Sequence, residues 1–176
     1  MTRARSSAYW SANRYTDADQ PPAPTAPLGD LPAAAAARFG ALREGLVALP
    51  AVTESVRFMG ASWRWAWEYS VGNRKLCWAH VIGSTVSVTF TLSDAEEDRV
   101  HKLGRLPADL RRAIEVGQRT GPVRWCWLEL DERRAVDSFL RFIAQKAAWL
   151  TERPAPHRRP QARGRRRSPD SLDEAD

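Results

Sequence analysis

Cysteine is nearly missing from this chain: its 176 residues hold two, Cys77 and Cys126. A disulfide-stapled secreted domain needs more, and a structural zinc site needs four closely spaced ligands. Each cysteine adjoins tryptophan in an apolar stretch, which reads as a buried free thiol. Histidine is also scarce. His80, His101 and His157 are scattered, so no metal-ligand spacing emerges and no metal is expected. No apolar run approaches the roughly 18 residues a membrane helix requires. Arg3 and Arg5 are not followed by the apolar stretch of a secretory signal. The expected setting is the cytoplasm, with no membrane partner. The chain has no G-x-G-x-x-G, no G-x-x-x-x-G-K-[ST] and no G-x-S-x-G. A classical nucleotide loop and a nucleophile elbow are therefore excluded, and no cofactor is expected.

Lysine is rare too, with three against 24 arginines. The net charge of +6 divides as 0 over residues 1–32, +4 over 33–150 and +2 over 151–176. The central region is only mildly basic, unlike a surface that wraps nucleic acid. Alanine and proline are plentiful as well, a bias that a GC-rich genome produces without selection for arginine.

Tryptophan is abundant, with eight residues. Seven of them lie in the central region, which reads as one α+β domain over residues 33–150. Residues 1–32 read as a disordered arm, because four prolines between positions 19 and 27 remove amide donors and fix φ. Residues 151–176 read as a disordered tail, Arg-rich and then acidic. Between them, Phe39, Leu42, Leu46 and Leu49 form a helical stripe that Pro50 ends. Residues 55–59 form a short strand. Residues 62–69 alternate strictly, with Trp63, Trp65, Trp67 and Tyr69 on one face. Strands at 75–81 and 85–92 follow across turns at 71–74 and 83–84, completing an antiparallel meander. Ser93-Asp-Ala-Glu96 is a capping box that starts a helix. A second helix begins after Pro107, and a strand runs over 123–130. A last helix, capped by Asp131, carries the stripe Val136, Leu140, Ile143, Ala147 and Leu150. The predicted order is α-β-β-β-β-α-α-β-α: about five antiparallel strands with helices mainly on one face.

The run Trp65-Ala-Trp-Glu-Tyr69, the turn Gly72-Asn-Arg74, Leu76-Cys77, Leu106-Pro-Ala-Asp-Leu110, the Gly121 turn, Trp125 and the closing helix near Lys146 share an order with a known family. This pattern resembles the domain of unknown function 3788 family of small bacterial proteins, over about residues 46–150. Glu68 and Val81 depart from it, where a basic residue and a proline are the family's habit. The resemblance implies an α+β fold and brings no activity, since the family's function is not established.

Three groups of residues are candidates for function. Trp63, Trp65, Trp67, Tyr69, Trp78, His80, Trp125 and Trp127 form either a core face or the lining of an aromatic pocket. Arg64, Glu68, Lys75 and Arg124 are assigned to the other sheet face, as solvated ion pairs or as an anion-binding surface. Arg158, Arg159, Arg163, Arg165, Arg166 and Arg167 form a tail cluster that either contacts phosphates or reflects composition alone. No nucleophile–base pairing stands out. The expected function is a non-enzymatic module binding a small organic ligand or a protein segment. A nucleic-acid role for the tail is the alternative, and an unrecognised enzyme using His80 or Glu68 the lesser one.

Overall fold

Glycine turns and period-two alternation shape the centre of the chain, as seen in a computed structural model that describes residues 7–152. Strands β1 (Val52–Phe58), β2 (Trp65–Val71), β3 (Arg74–Ile82) and β4 (Thr85–Ser93) pair consecutively and antiparallel. Helices α4 (Asp94–Lys102) and α5 (Ala108–Glu115) then lead to β5 (Gln118–Thr120) and β6 (Val123–Glu129). The sheet order is β1-β2-β3-β4-β6-β5, all antiparallel. Gly72, Gly83 and Gly121 adopt positive φ at the tight turns, a conformation that is costly for residues with a Cβ.

Helices α3 (Ala33–Val47) and α6 (Arg133–Thr151) cover one sheet face. Phe39, Leu42 and Leu46 from α3 and Val136, Phe139 and Ile143 from α6 are fully buried against it. Trp67, Tyr69, Cys77, Ala79, Val88, Phe90 and Cys126 meet them from the sheet. Burying each large apolar side chain contributes about 1.5–3 kcal/mol, so this layer holds the fold. One ion pair sits within it: Lys146 Nζ donates to Glu96 Oε1 at 2.5 Å, joining α6 to α4. The Ser93–Glu96 capping box is present, each residue bonding the other's backbone amide.

The fold is α+β as expected, but the sheet has six strands, not five. The extra strand, β5, has only three residues, all exposed, so it carries no apolar signal. The last helix takes Glu132 as its N-cap, not Asp131, and that cap makes no side-chain bond.

A larger departure lies at the N-terminal end. Residues 7–32 pack on the domain, contrary to the expected disordered arm. They form α1 (Ser7–Ser11) and α2 (Ala26–Asp30), and bury Trp10, Asn13, Pro27 and Leu31. Proline lacks an amide donor but keeps its carbonyl, and the buried indoles need acceptors. Pro24 O accepts from Trp67 Nε1 at 2.8 Å, and Asp17 O from Trp65 Nε1 at 2.6 Å. Asn13 Nδ2 donates to the carbonyls of Trp63 and Trp65, both at 3.0 Å. Arg14 N bonds Val81 O, and Gly83 N bonds Ala12 O. The segment thus crosses the end of the sheet: Trp10 lies against His80 on one face, and Tyr15 against Trp67 on the other.

Candidate functional site

Cross-strand register decides which side chains share a face. Glu68 pairs with Trp78, Trp78 with Thr89, and Thr89 with Trp127. These four form a row across the face turned away from α3 and α6. His80 and Trp125 lie two residues from members of that row and share its face. Trp65, Trp67 and Tyr69 point the other way. The expected single face of indoles is therefore split between the two sides of the sheet.

Trp63 breaks the predicted alternation. It precedes β2, in a turn closed by Arg64 N to Gly60 O at 2.8 Å and Met59 N to Arg64 O at 2.7 Å. Gly60 has φ +88° and Arg64 φ +60°. The left-handed residue at position 64 turns Trp63 back over the open face. There it lies 5.8 Å from both His80 and Trp125, ring centre to ring centre. Trp10 stacks on Trp63 at 4.5 Å and 25°, and Trp125 stacks on Trp78 at 5.4 Å and 24°. Tyr9 meets Trp10 edge-on and donates to Glu129 Oε1 at 2.9 Å.

These rings leave two chambers. The outer one, about 450 Å³, is walled by Trp10, Trp63, Trp125 and Trp127, with Thr89 at its base and Gln118 at its rim. The inner one, about 180 Å³, lies among Met59, Trp63, Trp78, His80, Thr89 and Trp125. Trp63, Thr89 and Trp125 line both. Trp63, Trp125 and Trp127 are half-buried, whereas Trp78 and His80 are buried. His80 Nε2 lies 3.0 Å from Thr89 Oγ1, while Nδ1 is buried without a partner. Burial lowers the imidazole from its ordinary value to about 3, so it is neutral at physiological pH. Burial also pushes the Cys126 thiol up to about 12, and raises Cys77 as well. Neither is a thiolate at neutral pH.

The charged quartet is not one solvated face. Glu68 is buried, accepting from Lys75 Nζ at 2.6 Å and Trp78 Nε1 at 3.0 Å, with Arg57 Nε at 3.3 Å. Burial alone would raise its carboxyl. The bonds from Lys75 and Trp78 and the charges of Lys75 and Arg57 outweigh this and hold it below the ordinary range. Arg124 shares the face of Cys126, bonding Gly117 O at 2.9 Å and lying 3.2 Å from Glu97. Arg64 lies outside the strand and reaches Thr16 O at 3.3 Å. No shared anion site results. The six arginines from 158 to 167 lie outside the described residues.

Trp10, Tyr9, Asn13, Met59 and Thr89 belong to the site but were not singled out from the sequence. A signal existed for the first two: Tyr9, Trp10 and Tyr15 crowd into seven residues of a segment otherwise poor in apolar surface. Among the described residues, no group of three or more His, Cys, Asp or Glu could hold a metal ion. No helix among them is long and apolar enough to cross a membrane. Comparison with family models, with curated proteins and with solved structures finds no match for this chain.

Proposed function

We propose that this chain is a non-enzymatic binding module that takes a small organic ligand into the tryptophan-walled cleft on the open face of the sheet. The observation that carries this reading is the outer chamber of about 450 Å³ with four indole walls. That volume falls within the roughly 300–1,000 Å³ usual for ligand pockets, which are mostly apolar with a few polar groups. The resemblance to a family without established activity adds the fold expectation and nothing about the ligand.

The polar groups favour binding over catalysis. A general base works best with a pKa near the operating pH. His80, with a value of about 3, is a weak base. Glu68 is held by Lys75, Arg57 and Trp78 and has no need of a substrate proton.

Native mass spectrometry of gently purified protein tests for a carried small molecule. Tryptophan fluorescence during titration with a set of small aromatic and aliphatic compounds then ranks binders. Trp125→Ala removes a wall of both chambers and is expected to weaken the best binder by about tenfold or more, as loss of a 1–3 kcal/mol stacking contact would. Binding unaffected by Trp125→Ala and by Trp63→Ala would place the ligand elsewhere and end this reading.

A further inference from the structure

We infer that the outer chamber takes an uncharged, flat heteroaromatic molecule with a lactam edge, a ring N–H beside a carbonyl, which Gln118 reads through its side-chain amide. This rests on the binding reading above and specifies its ligand.

The first observation is charge. Asp, Glu, Lys and Arg are absent from the lining of the outer chamber among the described residues. The neighbouring charges are engaged elsewhere. Arg119 and Arg124 pair across β5 and β6, on the face opposite Trp125. Arg119 donates to Asp94 and Glu97, both at 2.6 Å, and Arg124 donates to Gly117 O. Glu129 shares the face of Trp125 and Trp127, but it accepts from Tyr9 and lies outside the lining. An ion in this cleft would lose its hydration and find no counter-charge, which is costly. Indole faces attract cations, so a flat cation is the competitor to exclude.

The second is shape. Trp10 stacks on Trp63 at 25°, and Trp78 on Trp125 at 24°. The outer chamber borders both pairs, through Trp10, Trp63 and Trp125. A flat ring extends such stacks by offset contact, whereas a branched aliphatic body covers less of an indole face.

The third is the rim. β5 is the edge strand beside β6, and its Gln118 pairs with Trp125. Residues directly opposite on antiparallel strands share a face. The Gln118 side chain therefore stands beside the Trp125 ring, in the lining of the chamber. It is exposed and makes no hydrogen bond among the described residues. Its planar amide holds an acceptor oxygen next to a donor N–H2. A lactam edge presents the complementary donor and acceptor in one plane, so two hydrogen bonds can close while the ring lies on tryptophan. Glutamine reads the donor–acceptor edge of adenine by the same geometry. A ring with an acceptor alone uses half of it.

Calorimetry on the full chain at neutral pH compares four probes of similar size: 2-quinolone, which has the lactam edge; quinoline, which has a ring acceptor alone; N-methylquinolinium, a flat cation; and naphthoate, a flat anion. The lactam is expected to bind about fivefold to tenfold tighter than quinoline, the worth of one further hydrogen bond. Both ions are expected to bind at least about tenfold more weakly than the lactam. Gln118→Met keeps the length of the side chain and removes both hydrogen-bonding groups. It is expected to bring the affinities of lactam and quinoline to within about twofold of each other. The wild-type comparison among probes stands without any variant. A lactam no tighter than quinoline, or a preference that survives Gln118→Met, overturns the Gln118 assignment while Trp125→Ala still weakens binding and the pocket stands. An ion that binds as tightly as the lactam, again with loss in Trp125→Ala, overturns the uncharged ligand and leaves the pocket in use. No binding by any probe, or affinities unmoved by Trp125→Ala and by Trp63→Ala, overturns the assignment and the pocket reading together.

Discussion

His80 shows what a buried neutral base does to the stability of the protein. Desolvation lowers it to about 3, whereas in the unfolded chain it titrates near the ordinary value of roughly 6.5. Between those values the unfolded state binds more protons than the folded one. The associated stability is complete above about pH 6.5 and is lost as the pH falls through that window, by at most about 1.4 kcal/mol per unit. Chemical denaturation between roughly pH 6.5 and 4.5 should therefore show a steeper loss in the wild type than in His80→Phe. Parallel curves would mean that the folded protein accepts the proton. Glu68 works in the same sense at lower pH. Its depressed carboxyl contributes stability above the ordinary carboxylate range, and this is lost as the pH falls towards the folded value.

At the scale of elements, the N-terminal segment is the least expected and the most informative. It is fixed by side chains that borrow main-chain partners: Asn13 on Trp63 and Trp65, and Trp65 and Trp67 on Asp17 and Pro24. Replacing Asn13 with Ala removes its two bonds to the Trp63 and Trp65 carbonyls and the one it accepts from the Tyr15 amide, and is expected to cost about 1–3 kcal/mol in urea unfolding. The same change should speed hydrogen exchange at the Arg14 amide and expose Trp63 to acrylamide quenching. Unchanged exchange would mean that Asn13 does not hold the segment. The contrast with the meander explains what sequence can convey. Alternation in β2 to β4, the stripes of α3 and α6, and the capping box at Ser93 are local patterns, and all were readable. Three exposed residues of β5 offered no pattern. Trp63 fits its strand by spacing, but the positive φ of Arg64, invisible in the sequence, turns it to the other face. Trp10 was missed because its partners lie far along the chain, and a lone aromatic pair in a proline-rich stretch has nothing local to bury against. The site was half legible: Trp63, Trp78, Trp125 and Trp127 were named, but the assumption of one shared face hid their division from Trp65 and Trp67.

At the scale of the whole molecule, the Lys146–Glu96 pair joining α6 to α4 is the most deeply buried ion pair among the described residues. Both groups are taken from water, so removing one leaves a bare charge in the core. Lys146→Met is expected to cost about 3–5 kcal/mol, while Lys146→Met with Glu96→Gln should recover part of that loss. A double-mutant cycle by thermal unfolding measures the coupling, and additive losses would show that the pair contributes nothing as a pair. Burial would raise the Glu96 carboxyl, but Lys146 and the Ser93 bonds lower it overall. Its stabilising effect is present above the ordinary carboxylate range and disappears as acid drives the pH towards the folded value. Acid should thus act on the open face first, through His80, and on the link between α4 and α6 afterwards. Near-ultraviolet circular dichroism and the Trp63 quenching signal separate the two stages.

The crossing segment also imposes an order on biosynthesis. A ribosome releases the chain from its N-terminal end, so Trp10 and Asn13 emerge before Trp63, Trp65 and His80, the distant residues they meet. Asn13 waits about fifty residues for the Trp63 carbonyl, and the outer chamber has no far wall until Trp125 and Trp127 are made. Tyr9 and Trp10 are thus translated well before the sheet that shelters them, because loop closure must wait for it. The cleft is completed by a segment made ahead of the sheet it closes on.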